Sequence, residues 1–378
     1  MSPRAARRLL ARLYRSSLRG VDPRRGVARA LAQPAVARGL DRADRLGVFA
    51  VGKAAAGMLA GAAGWFERGL AVLPRGYPIP RVAGVEVIQS AHPVPDRASE
   101  AAARAAIALF ESFGADDAIL CLVSGGSSAL LELPRAGVTL AVLSREVASR
   151  VAGGASIEEV NRVRTALSAV KGGRLGRRTR ARLVSLLLSD VPGDRPEVIG
   201  SGPTIRRRRG DVVRVVGSNR GGLEVAATDA RRAGVVPRLR RARLAGEADR
   251  AGADFGLAAA RLAPGEILLA GGETTVTLKP RPGKGGRSLE LALGAARAIA
   301  GRPVVLLAAG SDGRDGSSDA AGAFADGETL SRAGRLGLDP DAALRRHDTD
   351  PFFEALGDLF RTGPTGGNVA DWAFGLRL

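Results

Sequence analysis

Short apolar, β-branched runs alternate along the chain with longer Ala-, Leu- and Arg-rich stretches whose apolar positions recur at helical spacing. Runs of this length suit strands buried on both faces, and the 3.6-residue period between them marks amphipathic helices. The pattern predicts strands over residues 46–51, 85–89, 118–123, 183–188, 211–216, 266–270 and 304–308. It predicts helices over residues 4–19, 54–66 and 289–300, the first lying on the surface. Such alternation builds βαβ units, so the fold class is α/β with a largely parallel sheet. A further helix opens at the capping box Ser156-Ile-Glu-Glu159, runs to about residue 170, and ends at Lys171-Gly-Gly-Arg174.

The segments that follow the strands carry the chemistry. They read Gly52-Lys53, Ser124-Gly-Gly-Ser-Ser128, Ser189-Asp-Val-Pro-Gly-Asp194, Gly271-Gly-Glu-Thr-Thr275 and Gly310-Ser-Asp-Gly313. In open α/β sheets ligands bind beyond the carboxyl ends of the strands, where helix N-termini offer free N–H groups. Five such ends rich in Gly, Ser, Asp and Lys predict an anion-binding cleft. The stretch over residues 245–265 is the expected entry to a second domain, which divides the chain into 1–245 and 246–378.

With 378 residues, 45% hydrophobic and 25% charged, the chain is long enough for about two domains, and disorder and a disulfide-stapled mini-protein are excluded. No apolar run approaches the length of a membrane span, and the basic N-terminus lacks the continuous apolar core of a secretory signal. The one cysteine, Cys121, permits no intrachain disulfide, so a reducing, cytoplasmic setting is expected. The formal net charge of +19 would ordinarily suggest a nucleic-acid partner. Only four of the 57 basic residues are Lys, however, and 4% aromatic content leaves the Arg-rich segments 206–209 and 231–243 without rings for base stacking. Most of these Arg are expected to form a solvated face, and nucleic acid is set aside. The rare lysines gain weight, since a compact ammonium was kept where Arg was available.

Gly47-Val-Phe-Ala-Val-Gly52-Lys53-Ala54 has the outer frame of a Walker A loop, but its middle is a strand and Ala replaces the metal-holding hydroxyl. Lys53 is still placed at a strand end to reach phosphate or carboxylate. Ser124, Gly125, Gly126, Ser127 and Ser128 form a loop that could wrap an anion, or a plain tight turn. No G-x-S-x-G elbow is present, and His92, beside a proline, suits a structural hydrogen bond better than a triad. One Cys and two His exclude a zinc site. Asp190 and Asp194, and Asp312, Asp315 and Asp319, stand in two turns where carboxylates could hold magnesium; Asp is equally an ordinary turn residue. Lys284 and Arg287 place two cations in the loop 283–288, an arrangement expected to need a bound anion.

These residues resemble a known family, the glycerate 2-kinases whose C-terminal part is the MOFRL domain. The resemblance spans nearly the whole chain. It rests on Val51-Gly-Lys-Ala54, Ala91-His-Pro-Val-Pro-Asp96, Leu122-Val-Ser-Gly-Gly126, Asn161-Arg-Val-Arg164, Lys171-Gly-Gly-Arg174, Ser189-Asp-Val-Pro-Gly-Asp194 and Gly200-Ser-Gly-Pro-Thr204. Gly271-Gly-Glu-Thr-Thr-Val276, Gly285-Gly-Arg287, Asp312-Gly-Arg-Asp-Gly316, Gly363-Pro-Thr365 and Asn368-Val369 complete it. It implies a Rossmann-like parallel-sheet N-terminal domain, a smaller α/β C-terminal MOFRL domain, and an active site in the cleft between them. The implied reaction is ATP-dependent phosphorylation of D-glycerate to 2-phosphoglycerate. The chain departs from the family in its short connection 205–210, in Ser288 where Asn is usual, and in Gly367 where Thr is usual.

Under that reading Lys53 and Arg287 match the family's basic cleft residues and would neutralise charge on the glycerate carboxylate and the transferring phosphoryl group. Asp190 would orient the 2-hydroxyl or hold Mg²⁺, with Asp312 a second metal candidate. Glu273 and Asn368, which stand in two of the quoted motifs, join Lys284 and the loop residues 124–128 as candidates for binding substrate or nucleotide. The rival activity is hydroxypyruvate reduction, which needs a nicotinamide site; no G-x-G-x-x-G with a ribose-binding acid is present. Whether the chain forms a homo-oligomer is left open.

Overall fold

The six residues of Ala118–Val123 are all buried, as a strand with neighbours on both edges and cover on both faces must be. This strand lies inside the first of two six-stranded sheets. The structure is a computed structural model that describes residues 1–153, 157–206 and 208–378. It divides into two compact units, Asp22–Ser218 on the one hand and Met1–Val21 with Asn219–Leu378 on the other.

The unit Asp22–Ser218 contains β1 (Leu46–Val51), β2 (Arg68–Pro74), β3 (Val85–Ser90), β4 (Ala118–Val123), β5 (Arg182–Ser189) and β6 (Val212–Ser218). All are parallel, in the order β3-β2-β1-β4-β5-β6. This is the strand order of dinucleotide-binding folds, with the reversal between β1 and β4. Helix Arg97–Glu111 starts on a capping box from Asp96 and Ser99 and buries Ala102, Ala103, Ala106 and Phe110 in the core beside Phe49 and Val123.

The other unit holds β7 (Val236–Leu239), β8 (Glu266–Gly272), β9 (Val304–Gly310), β10 (Gly322–Asp326), β11 (Leu359–Phe360) and β12 (Asp371–Arg377), in the order β11-β10-β9-β12-β8-β7. Only β7 and β8 are parallel. The largely parallel arrangement expected from the sequence therefore describes one sheet and not the second. Chain-terminal β12 inserts antiparallel between β8 and β9, a pairing that local sequence cannot show.

The domain division differs from a cut at 245 because residues 219–245 build the second sheet's layer. Helix Asn219–Arg232 and β7 belong there, and the 245–265 stretch is largely helix Ala248–Ala260. Asn219 fixes that entry: its side-chain amide donates to the carbonyls of Val369 (2.8 Å) and Asp371 (3.0 Å), and its own carbonyl accepts from Trp372 Nε1 at 3.2 Å.

The N-terminal helix lies at the surface with Arg4, Arg8, Arg12, Arg15 and Arg19 exposed, and its other face is packed into the core. It spans Pro3–Gly20, is capped by Ser2, and buries Ala6, Leu9, Leu10, Leu13 and Tyr14, the i, i+3, i+4, i+7, i+8 face. Tyr14 donates to the Gly310 carbonyl at 2.6 Å, and Arg7 ties the helix to Asp326 and Asp358. Other expectations shift at their ends. The helix after β1 is Ala55–Gly61 and shorter than predicted, and the helix before Lys171 is Ile157–Leu167, since Ser168 bridges to Pro134. The proposed cap residue Ser156 lies outside the described residues. Arg206 is no part of a solvated face: it is buried, paired with Asp211 and bonded to the carbonyls of Gly176, Thr179 and Ala181.

Candidate active site

At the switch point of the parallel sheet the turns after β1 and β4 are joined backbone to backbone. Lys53 N–H donates to the Gly125 carbonyl at 2.9 Å, and the buried Ser124 Oγ accepts the Ala54 N–H at 3.1 Å. Gly52, at φ +120°, is required there, because a Cβ would sit 2.2 Å from Ser124 Oγ. The Ser124 hydroxyl is thus spent on joining the two turns. Ser127 is also buried, with its Oγ packed against Gly200 and without a partner among the described residues. What the loop offers an anion is its backbone: the N–H groups of Gly125 and Gly126 donate to no acceptor among the described residues. Lys53 is half-buried with its side chain against Gly126, and it makes no ion pair among the described residues.

The turn after β5 brings Asp190 to the same place. A Cβ on Gly125 would lie 2.0 Å from Asp190 Oδ2, so this glycine is what admits the carboxylate. His92 comes from the turn after β3, and its ring and the Lys53 side chain both face Gly126, 3.2 Å and 3.3 Å from where a Cβ would stand. Burial, and then the charge of Lys53, holds the His92 imidazole below its usual range, which favours the neutral ring. Lys53, Arg75, Tyr77 and His92 line an open cavity of about 380 Å³. His92 therefore stands in the site, where the sequence favoured a structural role. Its signal was position, since it follows a strand of the same sheet.

In the other unit the centre is Arg287, first residue of helix Arg287–Ala298. Its Nε and a terminal nitrogen grip the buried Asp371 at 2.5 and 3.1 Å, and the third nitrogen reaches the exposed Glu273 at 2.6 Å. Burial works against the Arg287 charge, but the Asp371 carboxylate more than offsets it and the guanidinium stays firmly protonated. For Asp371 burial wins over the attraction of Arg287, and its carboxyl is pushed up to about 6. Asp315, buried, is pushed up to about 7 by the same cause, although it accepts the N–H groups of Ser288 (3.0 Å) and Leu289 (2.8 Å) and so caps this helix.

The two cations of the glycine loop consequently need no bound anion. Lys284 pairs with Asp350 at 3.1 Å and Asp319 at 3.6 Å, Arg287 pairs with Asp371 and Glu273, and the helix start is occupied by Asp315. Gly286 is needed because a Cβ would meet the Asp315 backbone at 2.4 Å. Ser288 is buried with its hydroxyl unpartnered among the described residues, as expected where a longer amide has been replaced.

Asp312 accepts the N–H of Arg314 at 3.1 Å, and Asn368 accepts that of Ala370 at 3.0 Å; each closes a local turn. No group of three or more His, Cys, Asp or Glu side chains among the described residues could hold a metal ion. Magnesium asks for only one or two carboxylates; the Asp190 carboxylate lies against Gly125 of the glycine loop, whereas that of Asp312 closes its own turn. No helix among the described residues is long and apolar enough to cross a membrane.

The first sheet has the strand order of a Rossmann-like α/β fold, with a lysine and a glycine loop at its switch point. Residues 9–220 match the family described as a domain of unknown function (DUF4147), and residues 266–371 match the MOFRL family. A Thermotoga maritima protein named D-glycerate 2-kinase is 33% identical over 420 residues, covering 99% of this chain and 99% of its own. An Agrobacterium vitis protein that bears hydroxypyruvate reductase as a provisional name is 36% identical over 420 residues, covering 97% of this chain and 93% of its own. The crystal structure of glycerate kinase from Thermotoga maritima matches with a TM-score of 0.88 at 32% identity, over 99% of this chain and 100% of the other. The chain belongs to the glycerate 2-kinase family, in which the DUF4147 region precedes a MOFRL region.

Proposed function

We propose that this chain transfers the terminal phosphoryl group of ATP to the 2-hydroxyl of D-glycerate, giving 2-phosphoglycerate and ADP. The observation that carries the reading is the switch-point cluster, where Lys53 and the free N–H groups of Gly125 and Gly126 face the same turn as Asp190. Phosphoryl transfer asks a protein to position two reactants and to neutralise charge. Backbone donors at 125 and 126 suit phosphate oxygens, and the Lys53 ammonium supplies a point charge with no ion-pair partner among the described residues. ATP enters as its magnesium complex, with Asp190 as the carboxylate that holds the metal or orients the acceptor hydroxyl. Arg287 neutralises anionic oxygens from a guanidinium whose orientation is fixed by Asp371, while Glu273, being exposed, is the contact that can be exchanged for substrate.

The second reading is hydroxypyruvate reduction, favoured by the name of the Agrobacterium vitis relative. It lacks a glycine fingerprint at the β1 turn, which reads Gly52-Lys53-Ala54. Supplying D-glycerate with Mg²⁺-ATP in one assay and hydroxypyruvate with NADH or NADPH in another separates the two. Release of ADP in the first and no nucleotide oxidation in the second supports the kinase; the reverse result removes it.

A further inference from the structure

Beyond the switch-point turns, the same unit holds a half-buried cation with no ion-pair partner among the described residues. Arg164, on helix Ile157–Leu167, has no hydrogen bond or ion pair among the described residues. The acidic residue that acts on it, Glu132, is already used: Oε2 is bound by the buried Lys171 ammonium, and Oε1 accepts the Leu133 N–H at 3.1 Å. Lys171 also donates to the Ser128 carbonyl at 2.8 Å, which fixes the end of the 124–128 loop. One turn before Arg164, Asn161 accepts from Ser201 Oγ at 3.4 Å, and Ser201 Oγ lies 2.7 Å from Ser128 Oγ. The Asn161 Nδ2 donor has no partner among the described residues. Ser201 is held in this chain of contacts at φ +61°, a conformation that serine adopts only under constraint.

A desolvated guanidinium without an acceptor is costly, and burial is what lowers the Arg164 pKa. The cost is removed when an oxyanion accepts its forked donors. Arg164, Lys171 and Glu132 together carry one net positive charge, which matches a monoanion better than a phosphoryl dianion.

We propose that Asn161 and Arg164, with the Ser128 and Ser201 hydroxyls, form the subsite for the carboxylate of the small hydroxy acid. This rests on the kinase reading for the identity of the acid, but not for the existence of the subsite. It leaves the donors at Gly125, Gly126 and Lys53 to phosphate.

The test is calorimetric binding of D-glycerate, glyceramide and inorganic phosphate to the wild type, Arg164→Gln and Asn161→Ala, together with KM values for D-glycerate and ATP. The wild type should bind D-glycerate at least about tenfold more tightly than glyceramide, the loss expected for one charge-assisted contact. Arg164→Gln should abolish that preference and raise the KM for D-glycerate while leaving the KM for ATP within about twofold. Asn161→Ala, which keeps the charge, should lose a smaller share and serves if the first variant does not fold. An unchanged preference for the carboxylate in a folded variant overturns the proposal. So does a loss confined to ATP or phosphate. Wild type that binds D-glycerate through Arg164 but releases no ADP would retain the subsite and discard the kinase; active wild type with an unaltered Arg164→Gln would do the opposite.

Discussion

The backbone N–H of Lys53 donates to the carbonyl of Gly125 at 2.9 Å, so the turn that carries the cation is bonded directly to the turn that carries the N–H donors. The link comes from topology. β1 and β4 are neighbours at the point where strand order reverses, and their connections leave on opposite sides.

Lys53→Ala should lower kcat/KM for phosphorylation by about 10²-fold or more, the effect of removing one preorganised charge stabiliser, while the unfolding temperature stays close to that of the wild type. Lys53→Arg should recover little, because a planar fork does not replace a compact ammonium at a crowded turn. Steady-state kinetics beside thermal unfolding checks both statements.

Ser124→Ala should destabilise the protein by about 1–3 kcal/mol, because the buried Ala54 N–H loses its acceptor. Urea denaturation measures it. Ser128→Ala, whose hydroxyl meets that of Ser201 and no other among the described residues, should cost less.

Lys171→Ala leaves the Glu132 carboxylate buried and unpaired and should cost about 3–5 kcal/mol. The double variant Lys171→Met, Glu132→Leu should be more stable than the single one, because the buried carboxylate is then no longer stranded. Denaturation midpoints of the three proteins give the comparison.

Activity should fall as the pH drops through about 6, where Asp371 takes up a proton and its grip on Arg287 weakens. The stability effect has the opposite sign. A carboxyl whose folded pKa is raised from about 3.9 to about 6 favours the native state at low pH, and that contribution is lost as the pH rises across this window. Asp371→Asn, which cannot titrate, should lack the acid limb in a profile of kcat/KM against pH and show a lower plateau.

Much of the first sheet was legible in the sequence. Ala118–Val123 and Leu46–Val51 are continuous apolar runs bounded by turn residues, and both strands occur at those limits. The second sheet was less so. β10 and β11 are short, β7 contains a proline, and β12 finds its place only by pairing with strands far away in the chain. The amphipathic face of helix Pro3–Gly20 was visible, but periodicity does not say what such a face covers. In the candidate site, Lys53 stood out as a rare lysine after a strand. The carboxylates that neutralise Lys284 and Arg287 did not, because Asp350 and Asp371 lie 66 and 84 residues away in the chain. Arg164 was hidden among dozens of similar residues, and it is set apart by a half-buried guanidinium with no hydrogen bond or ion pair among the described residues.

The identity of the phosphorylated product tests the central claim most directly. With D-glycerate and Mg²⁺-ATP, the proton-coupled phosphorus NMR signal of the product should be a doublet, since a phosphate on the 2-hydroxyl is coupled to the single proton of that carbon. A triplet, from the two protons of the terminal carbon, or no new phosphorus signal at all, would contradict the account.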